Sequence, residues 1–330
     1  MQKDIFIKDI TRDETVKGVF CVSDKKELLT RHKKPYLALR LSDSTGEIDA
    51  KVWDNVSRLG EGFEQGDFVG ITARSTEYMG KLQLTVSAIE RVDADSVDPA
   101  LFMPASENPL DNMLTEFDSF VSSVRSPVVK KILQTLFAEK DFFKSFTDAP
   151  AAKGFHHAWI HGLLEHTLSV ARLADAVCGF YPAIDRDLLV AGALCHDMGK
   201  ADELSFSSPP IEYSDMGRLL GHIMLGVSRL EHAAERAGIG PEQPELLALK
   251  HIILSHHGEL EFGSPVLPMT QEALMLHMLD NLDAKMNYID RLRGGIAEGG
   301  GRWTEFQRLF SRYFYLPPRE PAPFKGREET

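Results

Sequence analysis

Little in this chain of 330 residues suits secretion or a membrane. It has only three cysteines, Cys21, Cys178 and Cys195, with no CxxC pair, which excludes a disulfide framework and a thiolate zinc site and fits a reducing compartment such as the cytoplasm. No run of about 18 apolar residues occurs, so no membrane-spanning helix is expected. The opening stretch MQKDIFIKDITRDE is charged throughout and lacks the apolar core of a signal peptide. An excess of positive charge is also missing. The net charge is −12, which argues against a general nucleic-acid binder. That deficit is uneven: residues 1–92 hold 15 basic and 15 acidic residues, whereas the remainder holds 22 and 34. A polyanion would meet the N-terminal part first, and the acidic remainder needs cations to hold a phosphate.

What is present divides into two patterns. Segments 15–22, 36–42, 48–53, 68–75 and 81–89 are short and rich in Val, Ile, Leu, Thr and aromatics, and turn residues such as Asp43-Ser44-Thr45-Gly46 separate them. Five strands with a short helical stretch near 55–60 predict a small barrel. Residues 93–109 lack periodicity and read as a linker. From residue 110 apolar residues recur at helical spacing over 113–124, 128–139, 163–178, 188–194, 221–237, 245–255 and 271–291. Breakers punctuate these helices, the last being the glycine-rich 294–301, and the charged, Pro-rich tail 317–330 is expected to be disordered. The fold class predicted is α+β multidomain: a β-barrel over 1–92, then an all-α domain over 110–316.

Most of the twelve histidines lie between His156 and His257. His166 falls inside a helix (GLLEHTLSV), and His196-Asp197 ends an apolar one (LLVAGALCHDMGK). His222 opens another, His256-His257 closes the next, and Asp280 sits mid-helix in LHMLDNLDAK, where an unpaired carboxylate would be costly. Imidazole and carboxylate donors suit Mn, Fe, Co, Ni or Zn. Two such ions bridged by Asp197 would grip a phosphate from both sides and supply a hydroxide nucleophile.

The order H…HD…H…H…D over roughly 150–290, with Gly199-Lys200 after the HD pair, resembles the HD superfamily of metal phosphohydrolases. The resemblance implies that His166, His196, Asp197 and Asp280 hold one divalent ion, manganese being the first expectation. It implies that His222 and His256 hold a second with Asp197 as the bridge, and that Lys200 faces the phosphate, although Lys200 could also simply cap its helix. Either of His256 and His257 could be the ligand. His157, His257 and Asp283 are candidates for support of the ligands or for substrate contact.

The strand pattern over 12–92, including SDSTGEIDAKVWD, resembles an OB-fold, which binds single strands with basic groups and stacking aromatics. Lys25, Lys26, Arg31, Lys33 and Lys34, read as one interstrand loop, together with Tyr36 and Tyr78, are the candidate contacts. Trp53 is expected in the core, as strand tryptophans more often are. An OB-fold, a linker and an HD domain containing HHAWIHGLLEHTLSV together resemble the YhaM-type 3′-to-5′ exoribonucleases, with His161 standing where glycine is expected. That implies metal-dependent release of 5′-mononucleotides from single-stranded RNA, or DNA as well. Two other readings stay open: a small-nucleotide phosphohydrolase whose OB-fold serves homo-oligomerisation, and a single-strand binder with an inert HD domain.

Overall fold

The computed structural model describes residues 3–30, 33–78, 80–98, 101–103, 105–152, 159–206, 211–299 and 301–317. Arg31, His157 and residues 318–330 of the tail lie outside them. The chain forms two compact units, residues 1–279 and 280–330.

The first unit begins with five strands, β1 (Thr15–Leu29), β2 (Pro35–Asp43), β3 (Gly46–Val52), β4 (Phe68–Tyr78) and β5 (Lys81–Val92), with a one-turn helix α1 (Val56–Gly60) between β3 and β4. They close in the order β1-β2-β3-β5-β4, and only the β3–β5 pairing is parallel. Alternation drives the closure: Leu37, Leu39 and Leu41 of β2 and Ile48, Ala50 and Val52 of β3 point inward and are buried. At the β2–β3 turn the Asp43 carboxylate accepts from Thr45 N and Oγ1 at 2.8 and 2.6 Å and pairs with the buried Lys3 ammonium at 3.0 Å. β1 outruns the expected 15–22 and ends at Leu29, which puts Lys25 and Lys26 on a strand rather than in a loop. The segment read as a linker packs against the barrel: Val97 and Phe102 share an apolar cluster with Val19, Cys21 and Phe68.

Helices follow: α2 (Leu110–Ser123), α3 (Pro127–Phe137), α4 (Lys140–Asp148), α5 (Gly162–Cys178), α6 (Arg186–Cys195), α7 (Lys200–Glu203), α8 (Asp215–Arg236), α9 (Pro244–Ser255) and α10 (Gln271–Gly299), with the two-residue strands β6 (Leu204–Ser205) and β7 (Glu212–Tyr213) paired before α8. Their starts are chemically marked. Ser126 caps α3 ahead of Pro127, the Asp185 carboxylate accepts from the Asp187 and Leu188 amides, and Ser214 Oγ accepts from Gly217 N. The core is continuous from Met113 to Leu279, and Leu163, Leu164 and Leu168 of α5 are fully enclosed in it. Each such side chain contributes about 1.5–3 kcal/mol by burial.

Several features depart from the sequence reading here. Helices α4 and α7 have no counterpart in it, α8 starts at Asp215 so that His222 lies within it and does not open it, and α10 continues through Gly294 to Gly299 where the glycines were expected to stop it.

The second unit comprises the end of α10 and an arm over 301–317. Two antiparallel bridges, Trp303↔Tyr315 and Gln307↔Arg312, fold the arm into a short hairpin. Its tip is a 3-10 turn at Arg308–Phe310, followed by Ser311 in the left-handed region at φ 52°. The hairpin is tied to α10 by Tyr288, which donates to Gln307 Oε1 at 2.8 Å and meets the Phe310 ring at 5.6 Å.

Candidate metal centre and nucleic-acid surface

Four helical segments deliver imidazoles to one carboxylate. His166 comes from the second turn of α5, and His196-Asp197 immediately follow α6. His222 is the first residue past a kink in α8, and His256 caps the C-terminal end of α9. The kink is Gly221, at φ 70° and ψ 157°, a conformation that a side-chain-bearing residue adopts only with strain. Gly199 lets the turn after Asp197 lie against α8, since a Cβ there would stand 2.0 Å from the His222 carbonyl oxygen.

The geometry around Asp197 is two-sided. Its Oδ2 lies 3.5 Å from both His166 Nε2 and His196 Nε2. Its Oδ1 lies 3.5 Å from both His222 Nε2 and His256 Nε2. Three of the rings are fixed by their other nitrogen. His196 Nδ1 meets Ala193 O at 2.9 Å, His256 Nδ1 meets Ile253 O at 2.7 Å, and His222 Nδ1 meets Glu203 Oε1 at 3.1 Å. With the proton on Nδ1, each presents a bare Nε2 lone pair to the centre. His166 and His196 bring their Nε2 atoms within 3.3 Å of each other, and His222 Nε2 and His256 Nε2 are buried without a hydrogen-bond partner among the described residues. Buried polar atoms left in this way cost about 1–3 kcal/mol each unless something occupies the space between them.

Two donor sets meet the requirements of an ion: His166, His196 and Asp197, and His222, His256 and His257, with donor atoms in each set within 4.8 Å of one another. Nitrogen and carboxylate donors suit a divalent transition metal, so the residues present fit the group that the sequence implied.

Burial opposes ionisation of Asp197, yet the Lys200 ammonium, 2.6 Å from Oδ2, and the surrounding imidazoles hold its carboxyl well below the usual range. Glu203 is likewise buried but held down by His222, accepting from both its ring and its backbone N–H. Burial, with the neighbouring His256 and His222, holds His257 at about 4, and its Nδ1 meets Phe262 O. Glu203 escaped the sequence reading because it lies 19 residues from the histidine it supports. Asp280 and Asp283 belong to α10 within the second unit, Asp280 partly buried and Asp283 buried. His161 precedes α5 in the left-handed region at φ 66°, the conformation that glycine adopts most cheaply and the physical basis for expecting glycine there.

On the barrel, Tyr36 and Trp53 stack at 4.8 Å, and the Lys51 ammonium lies 5.5 Å from the Trp53 ring and 5.4 Å from the Tyr78 ring. Trp53 is 42% exposed and Tyr78 60% exposed, so the expectation of a core tryptophan is corrected. Strand parity explains it: Val52 points inward, so Trp53 points out with Lys51. Lys33 and Lys34 are exposed, and Lys26 pairs with Asp24. Lys25 departs from the expected nucleic-acid role: its ammonium donates to the carbonyls of Gly60 and Phe63 and fastens α1 to β1.

Residues 163–285 match the HD domain family, and residues 15–92 match an OB-fold nucleic acid binding domain. The 3′-5′ exoribonuclease YhaM of Bacillus subtilis is 36% identical over 321 residues, 96% of this chain and 99% of that one. The chain belongs to the YhaM family. The YhaM of a Geobacillus species is 38% identical over 286 residues, 86% of each chain. That of Halalkalibacterium halodurans is 34% identical over 314 residues, 94% of this chain and 95% of that one. YhaM relatives therefore share both the barrel and the helical region, not the HD motif alone. None of the described helices is long and apolar enough to cross a membrane.

Proposed function

We propose that this chain is a divalent-metal-dependent 3′-to-5′ exoribonuclease that releases 5′-mononucleotides from single-stranded RNA. The observation that carries the chemistry is Asp197, each of whose oxygens faces two imidazole nitrogens at 3.5 Å. His166 and His196 would hold one ion and His222 and His256 a second, with Asp197 shared by both sets. His256 rather than His257 would be the ligand next to Asp197, since His256 Nε2 lies 3.5 Å from Asp197 Oδ1. Asp280 adds a carboxylate to the first set, on the strength of its place in the H…HD…H…H…D order. A pair of divalent cations, manganese first among them, would supply Lewis acidity at the phosphodiester and lower the pKa of the attacking water.

The protein's own groups do the rest. Glu203 holds His222 in the tautomer that leaves Nε2 bare. Lys200 provides a cation at the carboxylate where a phosphate oxygen can take its hydrogen bond. Tyr36, Trp53 and Tyr78 offer ring faces for successive bases, with Lys51, Lys33 and Lys34 as phosphate partners. Attack at the 3′ end follows from the named activity of the relatives.

The test uses 5′-labelled single-stranded RNA with Mn²⁺, in linear, 3′-blocked and circular forms. A ladder shortening from the 3′ end, with the blocked and circular strands resisting, is the expected result. Ready cutting of circles would replace this reading with an endonuclease. Turnover of mononucleotides alone would replace it with a small-nucleotide phosphohydrolase.

A further inference from the structure

The hairpin arm of the second unit is built in two faces. Inward, Thr304 and Leu316 are buried and Phe310 and Phe314 are partly so, their rings meeting at 5.0 Å. Outward stand Trp303, Phe306, Tyr313 and Tyr315, exposed by 63, 47, 59 and 49%. They form two ring pairs, Trp303 with Tyr315 at 5.0 Å and Phe306 with Tyr313 at 5.3 Å. The two ring pairs brace the hairpin across its strands, yet all four rings keep about half or more of their surface exposed, more apolar area than bracing requires.

The charge around them is equally one-sided. Residues 302–316 hold Arg302, Arg308 and Arg312 against Glu305, in a chain whose net charge is −12. All three arginines are exposed, and none forms an ion pair among the described residues.

We propose that this hairpin is a second single-strand RNA-binding surface, separate from the barrel: bases stack on Trp303, Phe306, Tyr313 and Tyr315, and backbone phosphates pair with Arg302, Arg308 and Arg312. It rests on the exoribonuclease reading for its ligand. The occupant follows from charge. A second copy meeting this face through a two-fold axis would set the same arginines against each other, whereas a polyanion is attracted to them. Aromatic faces interleaved with arginine also suit a ligand that offers a π-surface and a phosphate at every step, without regard to sequence.

The test measures binding of a fluorescent 30-nucleotide 2′-O-methyl RNA to the full-length metal-loaded protein over a salt series, with molecular mass followed by light scattering. The double variant W303A/Y313A is expected to weaken binding about tenfold, in line with the loss of one or two base stacks. W303F, which keeps a ring and guards against misfolding as an explanation, should restore most of its share. Arg312→Ala should flatten the slope of log K against log salt by about 0.7, the value for one phosphate contact on a single strand. Unchanged affinity and slope in W303A/Y313A and R312A, while Trp53→Ala still weakens binding, would overturn the proposal. So would a fall in mass without a change in RNA affinity, which would make the face an interface between copies. If the unaltered protein failed to bind or degrade RNA at all, the exoribonuclease reading itself would fall, and this surface with it.

Discussion

In the helical body the imidazoles of His166, His196 and His256 are sealed from solvent, whereas on the barrel Trp53 and Tyr78 are exposed to water. The first arrangement buries polar nitrogens where an apolar residue would be cheaper. The second exposes apolar rings where a charged residue would be more soluble. Each is unfavourable for the isolated chain, and under the proposed function each would be offset by a ligand: cations between the nitrogens, bases against the rings. Departures from ordinary burial thus mark both surfaces, with opposite sign.

The strongest way to break this comparison is at the carboxylate shared by both histidine pairs. Asp197→Ala should drop metal content to background and abolish hydrolysis of RNA of every length, while helical circular dichroism persists because the apolar core around it is untouched. Metal analysis beside a ladder assay checks this, and near-normal metal content would dismantle the two-sided centre.

A subtler change keeps every nitrogen and carboxylate that faces the ions. Glu203→Gln should lower metal affinity by about 10–100-fold, the usual cost of losing a partner behind a ligand. Competition with a fluorescent chelator reads it, and excess metal should recover activity in E203Q but not in D197A.

On the barrel, Trp53→Ala should weaken binding of a long single strand by about 1–3 kcal/mol, with a smaller effect on a dinucleotide. Equal losses on both substrates would place Trp53 in the fold rather than at the RNA.

The smallest expected effect is one of pH. His257 is held at about 4 in the folded chain, below an ordinary histidine near 6.5. Between these values the unfolded chain binds the extra proton, so stability of the metal-free protein should rise with pH from about 4 to about 6.5. Denaturant titrations at pH 5 and 7 would show it, and His257→Asn should lessen the difference.

How much of this was legible in the sequence depended on whether local pattern or distant packing set the outcome. The five strands announced themselves by alternation, and the helices that carry or flank His166, His196-Asp197, His222 and His256 by their apolar spacing. Helix α4 was missed because Phe142, Phe143 and Phe146 follow α3 after a single short break and resemble its continuation or a strand as much as a new helix. Trp53 was misplaced although the evidence was local: Ile48, Ala50 and Val52 fix the inward parity, which leaves residue 53 outside. Lys25 could not be read correctly, because its partners, the Gly60 and Phe63 carbonyls, lie 35 and 38 residues away. The same distance in sequence hid Glu203 behind His222.

The bare α-carbon of Gly199 has a further consequence. A Cβ there would stand 2.0 Å from His222 O and 2.7 Å from Gly226 N, both of them backbone atoms that cannot swing aside. An alanine would therefore act as a shim, prying the turn that bears Asp197 from the helix that bears His222 without deleting a single donor atom. Here one methyl group would widen the gap between Asp197 and His222, and G199A is a direct test of whether the two histidine pairs can be uncoupled.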